Sequence, residues 1–224
     1  MMKEYKTKEF VKGLKKIIIL AQGPSWYQCP LNAPEGAEIW GSNVIYRDHP
    51  NVDRLIFGHD IRGHHFEDDM NLFENLNNYG APVYTPGPCN QLQNTAIIPI
   101  GEIMEEFKVG FFLTTIAYMI AMAIMQKPEA LEYYGVDMRP DAGGETYGNE
   151  KGCVDFWTMV AMGRGIKFTN TLESYILKVK QEGNFPNFRA KVAQNGLVHQ
   201  LPEHERNPYN IGMNYKIIPV GDEI

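Results

Sequence analysis

Residues 17–25 read Ile-Ile-Ile-Leu-Ala-Gln-Gly-Pro-Ser. The apolar run at its start has the length and branching of a strand that is buried on both faces, as in a parallel sheet. Gly23 and Pro24 then favour a sharp turn. In open α/β folds, ligands bind in the crevice beyond such strand ends. Because free N–H groups and the Ser25 hydroxyl are expected to point outward, the predicted ligand is an anion. A purely structural turn is the alternative.

Size and composition restrict the class of protein. The chain has 224 residues, of which 44% are hydrophobic, and this suits one medium-sized domain with an addition. Its net charge of -6 makes nucleic acid or an anionic membrane an unexpected partner. Cys29, Cys89 and Cys153 are far apart and follow no zinc-site spacing, which favours a reducing, cytoplasmic location. The most apolar window, 111–125, is shorter than the ~20 residues that span a bilayer, so no membrane association is expected.

Strand and helix patterns alternate along most of the chain. Apolar runs predict strands over 17–21, 37–41, 52–57, 82–84, 130–134 and 166–168. Helical spacing predicts helices over 66–76, 100–107, 114–125, 149–162 and 172–179. This alternation is typical of an α/β, Rossmann-like, doubly wound and mainly parallel sheet flanked by helices.

A change in composition divides the chain into two predicted parts. Residues 1–183 are predicted to form the Rossmann-like nucleotide-binding domain. Residues 184–224 are rich in Pro, Asn and Gly and are predicted to form an extended C-terminal arm. The arm is expected to pack on the body of the protein or on a second subunit, which would give a homo-oligomer.

Polar residues next to the predicted strands and helices are candidates for binding a ligand. Asn43 follows the second strand, and its amide combines a donor and an acceptor, which suits a base or a ribose. Thr114 and Thr115 begin the most apolar predicted helix, where hydroxyls and free N–H groups suit an anion. The alternatives are a turn for Asn43 and helix capping for the two threonines.

Two carboxylates are candidates for the chemistry. Asp137 follows the strand over 130–134, where a carboxylate is placed to hold a sugar hydroxyl or to act as a base. Glu145 lies in the glycine-rich stretch that follows and is expected to reach the same crevice. An aspartate at a strand end also commonly forms a turn, so a structural role is the alternative.

The segment over 59–69 contains three histidines and four carboxylates. Such a cluster raises a metal hypothesis, but its spacing matches no established metal motif. A polar loop over the crevice is the preferred interpretation, with no metal site. Within it His59 is the candidate base, because histidine titrates near neutral pH.

Four stretches, in this order, resemble a known family: the small Rossmann-like sialyltransferases of bacteria, together with related, uncharacterised phage-encoded proteins. The stretches are Gln22–Ser25, Ile39–Tyr46, Thr114–Ile124 and Tyr133–Met138. Two further stretches, Cys153–Trp157 and Gly163–Ile166, are closer to the phage group. The resemblance covers about residues 17–178.

The resemblance implies a cytidine-type nucleotide sugar as donor, transferred to a hydroxyl acceptor without a required metal or other cofactor. It implies that the donor is held by Gly23, Pro24 and Ser25, by Asn43 and by the segment around Thr114. One feature departs from the family, which has a catalytic histidine after the strand that precedes Asp137. Residues 135–180 contain no histidine. The base would then be His59, His64, Asp137 or Glu145.

Three functions follow from these observations. The leading hypothesis is a nucleotide- or nucleotide-sugar-binding glycosyltransferase, acting in the cytoplasm or, if phage-encoded, in that of the host. The second is Mg²⁺-dependent pyrophosphoryl transfer, as in pterin pyrophosphokinase-like proteins, for which carboxylates would hold the metal. The third is a nucleotide-binding or assembly protein without catalytic activity.

Overall fold

The computed structural model describes residues 13–62, 71–139, 144–177, 196–200 and 215–219. The chain divides into two compact units, Met1–Lys178 and Val179–Ile224. The sequence-based boundary between residues 183 and 184 lies outside the described residues.

The first unit is built on one seven-stranded sheet. Its strands are β1 (Lys16–Leu20), β2 (Ala37–Ser42), β3 (Arg54–Ile56), β4 (Val83–Thr85), β5 (Thr95–Ile97), β6 (Ala130–Tyr134) and β7 (Lys167–Asn170). The α-helices are α1 (Leu72–Tyr79), α2 (Ile100–Phe107), α3 (Thr115–Met125) and α4 (Gly144–Gly163). Two short 3₁₀ helices, Pro24–Gln28 and Asn43–Arg47, follow β1 and β2.

The strand order is β5-β4-β3-β2-β1-β6-β7, and every neighbouring pair is parallel. The chain builds the sheet outward from β1 to β5 and then returns to place β6 on the other side of β1. The direction of winding therefore reverses between β1 and β6, which makes this the topological switch point of a doubly wound sheet. The predicted Rossmann-like α/β fold is confirmed.

Burial on both faces explains the continuous apolar run of β1. Ile17 and Ile19 belong to the hydrophobic cluster that contains residues of α2, α3 and α4. Ile18 and Leu20 belong to the cluster on the opposite face, which contains residues of α1. All four side chains are fully buried. Because both faces of β1 are covered by helices, an alternation of polar and apolar residues is absent from it.

The predicted elements differ from the structure at several places. Strand β5 was missed, because it has three residues and directly follows the turn-rich stretch 85–94. Helix α1 extends to Tyr79, beyond the predicted end at 76, and residues 66–70 of the predicted segment lie outside the described residues. The helix predicted over 172–179 is wrong for residues 172–177, which form two turns joined by irregular chain; 178–179 lie outside the described residues.

The second unit contains β8 (Gly196–Gln200) and β9 (Tyr215–Pro219), which pair antiparallel. The other residues of the predicted arm, and with them its role in subunit contacts, lie outside the described residues. Within the described residues of the whole chain, no helix has both the length and the apolar character needed to cross a membrane.

Candidate functional site

A cavity of about 440 Å³ lies at the carboxyl ends of β1, β2, β3 and β6. It therefore includes the switch point between β1 and β6, where open α/β sheets bind ligands. Seven residues selected from the sequence line it: Gly23, Pro24, Asn43, His59, Thr114, Thr115 and Asp137. The lining also contains residues that were not candidate site residues in the sequence, among them Gln22, Leu113, Met138 and Glu150.

Two glycines allow the chain segments after β1 and β6 to come into contact. The Gly23 N–H donates to the Gly135 carbonyl at 2.8 Å. A Cβ on Gly23 would lie 2.4 Å from that same oxygen. Gly135 has a φ of 65°, and a Cβ there would lie 2.0 Å from the Ala21 carbonyl oxygen. Neither position accommodates a side chain without a backbone shift, so both glycines are needed to shape this edge of the cavity.

A buried polar network joins the same two segments. The Asp137 carboxylate accepts hydrogen bonds from the Ser25 N–H, at 2.8 Å, and from the Ser25 hydroxyl. The Ser25 hydroxyl oxygen in turn accepts from the Gly135 N–H and from the Thr171 hydroxyl, each at 3.0 Å. Ser25 is 1% exposed and Asp137 is 2% exposed. Because Gly-Pro-Ser follows β1 and Asp137 follows β6, the network fixes the two chain segments at the switch point.

The prediction that the Ser25 hydroxyl and N–H point outward is wrong. Both groups face Asp137, because a buried carboxylate requires hydrogen-bond donors and Ser25 supplies two of them. The ligand-binding role of Ser25 remains a prediction. In this geometry, any such role is exerted through the position of Asp137 and of the turn.

A second network positions Asn43. The Thr115 hydroxyl donates to Asn43 Oδ1 at 3.2 Å and accepts from the Gly58 N–H at 3.1 Å. Among the described residues, the Nδ2 group of Asn43 has no hydrogen-bond partner. Asn43 also has a φ of 50°, a left-handed conformation that asparagine adopts more readily than most residues. The amide at the cavity is therefore held by both its backbone and its Oδ1 atom.

Thr114 caps helix α3, as one of the two sequence interpretations predicted. Its hydroxyl accepts a hydrogen bond from the Ile116 N–H at 2.9 Å. The cap fixes the first turn of α3 against the cavity, so the partial positive charge of the helix N-terminus lies beside the lining. Capping and anion binding are compatible at this position, because the cap uses only part of the first turn.

Stacked aromatic rings support the segment that leads into α3. Phe112 stacks on Tyr118, with ring centroids 4.5 Å apart, and on Trp157, with centroids 5.0 Å apart. Trp157 Nε1 donates to the Phe111 carbonyl at 2.7 Å. Burial raises the pKa of the Tyr118 hydroxyl above its ordinary value. These contacts hold Leu113 at the cavity.

Of the remaining candidate residues, the structure describes the side chain of His59 but not that of Glu145. His59 lines the cavity from the segment after β3. The side chain of Glu145 lies outside the described part of α4, but Glu150 of the same helix lines the cavity. Glu150 could have been found from the sequence, because it is a carboxylate in the first turns of the helix that follows β6. The catalytic roles of His59, Asp137 and Glu145 remain predictions.

No group of three or more His, Cys, Asp or Glu side chains in the described part of the chain is arranged to hold a metal ion. Residues 63–70, which contain most of the histidine-rich segment, lie outside that part.

No protein-family model matches the chain, and no curated protein matches it. Among solved structures, it is similar to the sialyltransferase CstII from Campylobacter jejuni in complex with the substrate analogue CMP-3FNeuAc. The identity is 14%, the match covers 69% of this chain and 79% of that chain, and the TM-score is 0.46. For CstII in complex with cytidine-5'-monophosphate, the identity is 14%, the match covers 70% of this chain and 79% of that chain, and the TM-score is 0.43. For a point mutant of the alpha-2,3/8-sialyltransferase CstII, the identity is 14%, the match covers 70% of this chain and 81% of that chain, and the TM-score is 0.48.

Proposed function

We propose that this cavity binds a cytidine-type nucleotide sugar and that the protein is a glycosyltransferase-like enzyme that transfers the sugar to a hydroxyl group. One observation carries the proposal: a single cavity at the switch point brings Asn43, His59, Thr115 and Asp137 together from four separate parts of the chain. Its volume of about 440 Å³ lies within the usual range for small-molecule sites. The cytidine base is the one implied by the sequence resemblance.

The lining offers different groups to the two ends of a nucleotide. Asn43 presents an amide N–H group that suits an acceptor atom on a base or a ribose. The first turn of α3 suits a phosphate, because its N–H groups and dipole favour negative charge. The described lining contains neither Lys nor Arg, while Asp137 and Glu150 are acidic. Phosphate binding would therefore depend on backbone N–H groups, and its salt dependence should be weak.

His59 is the best-placed candidate for the base. In the proposed reaction the acceptor hydroxyl attacks the anomeric carbon of the sugar, and its proton passes to His59. The bond from that carbon to the phosphate oxygen breaks, and the nucleotide leaves with the electron pair. Histidine suits this role at neutral pH. Asp137 is engaged by Ser25 in two hydrogen bonds and is assigned to orient a sugar hydroxyl. Glu145 remains an alternative base.

Backbone conformation supports a functional assignment of the cavity. Asn43 has a φ of 50° and Met138 a φ of 44°, and both residues line the cavity. A left-handed conformation is unfavourable for methionine, by roughly 1–2 kcal/mol. Residues held in such conformations cluster at binding and catalytic sites, where the surrounding structure maintains them.

Calorimetric titration and thermal unfolding with CMP, UMP, AMP and a CMP-sugar test the proposal. CMP at 100 times its Kd should stabilise the protein by about 2.7 kcal/mol. Asn43→Ala should weaken CMP binding, whereas Asn77→Ala should leave it unchanged, because Asn77 is on α1 and bonds to the Gln91 carbonyl. The proposal is wrong if none of the four compounds shifts the unfolding temperature.

Transfer is tested separately from binding. His59→Asn should retain CMP binding and lose most of the transfer of sugar from a CMP-sugar to hydroxyl acceptors. Full activity in that variant would remove His59 as the base. Transfer of pyrophosphate from a nucleoside triphosphate that disappears with EDTA and returns with Mg²⁺ would favour the second function. CMP binding with no turnover would favour a binding protein without catalytic activity.

A further inference from the structure

The segment that follows β7 forms hydrogen bonds to the loops that shape the cavity, without lining the cavity itself. Thr171 is 7% exposed, and its hydroxyl donates to Ser25 Oγ at 3.0 Å. Ser174 Oγ donates to the Val136 carbonyl, and the Tyr175 N–H donates to the Asp137 carbonyl, each at 2.8 Å. These three residues are absent from the described cavity lining. Any effect they have on a ligand is therefore indirect.

The bonding capacity of a serine hydroxyl determines what Thr171 does. Such a hydroxyl has one proton to donate and two lone pairs to accept with. The Ser25 proton goes to Asp137, and one lone pair accepts from the Gly135 N–H. Thr171 fills the second lone pair. With Thr171 in place, all the hydrogen-bonding capacity of the Ser25 hydroxyl is used, and the hydroxyl has a single orientation.

We propose that Thr171 is a positioning residue for the ligand cavity, acting through Ser25 on Asp137 and on the Gly-Pro-Ser turn. This inference rests on the proposed function, because it assigns to Thr171 a contribution to nucleotide affinity. Without the threonine hydroxyl, a buried Ser25 lone pair has no donor, and the Ser25 hydroxyl gains other orientations. Asp137 and the turn, which line the cavity, then lose part of their fixed geometry.

Thr171→Val tests this, because valine keeps the branched shape of threonine and replaces its hydroxyl with a methyl group. The Kd for CMP, measured by calorimetry well below the unfolding temperature, should increase about three- to tenfold, which is the effect of one lost hydrogen bond. Thr171→Ser restores a hydroxyl and should bring the Kd to within about twofold of wild type.

Thr158→Val is the matched control. Thr158 is 0% exposed and donates to the Val154 carbonyl at 2.8 Å within α4. It lies outside the described cavity lining. This variant should lower the unfolding temperature by a similar amount while leaving the CMP Kd unchanged. Equal weakening of CMP binding in the two valine variants would show a general loss of stability and overturn the proposal. Failure of Thr171→Ser to restore affinity would also overturn it.

Hydrogen exchange separates this proposal from the proposed function. The Ser25 and Gly135 N–H groups belong to the network that Thr171 completes. Their exchange should become faster in Thr171→Val and remain as in wild type in Thr158→Val, with no ligand present. Unchanged exchange in Thr171→Val overturns the positioning role. If the wild-type protein fails to bind CMP while exchange changes as expected, the proposed function is wrong and Thr171 positions the turn alone.

Discussion

Two buried polar networks lie toward opposite ends of the same sheet and differ in what surrounds them. Near the amino ends of β2 and β3, Arg54 donates through Nε and Nη2 to Glu38, at 2.6 and 2.9 Å, and through Nη1 to the Tyr84 hydroxyl at 2.7 Å. Trp40 Nε1 also donates to Glu38, at 2.7 Å. At the carboxyl ends, Ser25 and Asp137 form the network that adjoins the cavity.

The difference lies in where the residues come from. The amino-end network uses side chains within strands, which have fixed directions and pair with one another across the sheet. Burial lowers the pKa of Arg54, but the hydrogen bonds and charge of Glu38 outweigh it and raise that pKa overall. The carboxyl-end network uses residues that follow the strands, where the chain segments separate and leave space. The buried polar side chains within the strands therefore have a structural role here, whereas the polar side chains that follow the strands shape the cavity.

The largest expected effect is on the amino-end network. Arg54→Met leaves the Glu38 carboxylate largely buried without its cation and should lower the free energy of unfolding by about 4 kcal/mol. Urea unfolding at neutral pH measures this. CMP affinity of the folded fraction should be unchanged, because neither residue lines the cavity.

Two controls define that result. Arg54→Met combined with Glu38→Gln removes the unpaired charge and keeps an acceptor for Trp40, so much of the stability should return. Arg164→Met breaks an exposed ion pair with Glu106, at 2.8 Å, and should change the free energy of unfolding far less, because solvent screens exposed pairs. A loss of CMP affinity in Arg54→Met would contradict the separation between the two networks.

The next effect is at the carboxyl end. Gly135→Ala should lower the free energy of unfolding by about 3 kcal/mol, because the new Cβ overlaps the Ala21 carbonyl and the φ of 65° is unfavourable for alanine. Unlike Arg54→Met, it should also weaken CMP binding, since the overlap moves a segment that lines the cavity.

Gly80→Ala is the control for the backbone conformation alone. Gly80 has a φ of 81°, and a Cβ there meets no atom within 4 Å. It should cost only about 1 kcal/mol and leave CMP affinity unchanged. Equal losses of stability at the two glycines would show that the contact with Ala21 is unimportant.

The sequence predicted the parts of the fold that depend on local patterns. The apolar run of β1, the apolar helix α3 and the Thr114 cap are each determined by residues close together in the chain. Strand β5 was missed because three residues carry too little pattern to stand out from the turns beside them. The helix predicted at 172–179 is wrong because tertiary hydrogen bonds from Ser174 and Tyr175 fix turns there instead.

The candidate site was predictable in its position but not in its hydrogen bonds. Strand ends in a parallel sheet meet at one edge, so Asn43, His59 and Asp137 could be placed near one another from topology alone. The partner of Ser25 could not, because Asp137 is far away in sequence and either residue alone suits a turn. The contribution of Thr171 was equally hidden, since it depends on how the segment after β7 packs.

The smallest expected effect is on how the free energy of unfolding depends on pH, and it concerns the carboxyl end of the sheet. Cys29, which follows the 3₁₀ helix of the Gly-Pro-Ser turn, is buried, and burial together with the charge of Glu132 raises the pKa of its thiol from 9.0 to about 12. Between these values the unfolded chain loses the thiol proton and the folded protein keeps it. Stability contributed by this thiol is therefore complete below pH 9 and is lost progressively as the pH rises from 9 towards 12. Cys29→Ala should show a shallower alkaline decline than wild type in urea unfolding at pH 8, 9.5 and 10.5, with reductant present. Identical slopes would mean that the thiolate is tolerated beside the turn, as the paired charges are tolerated at the amino end.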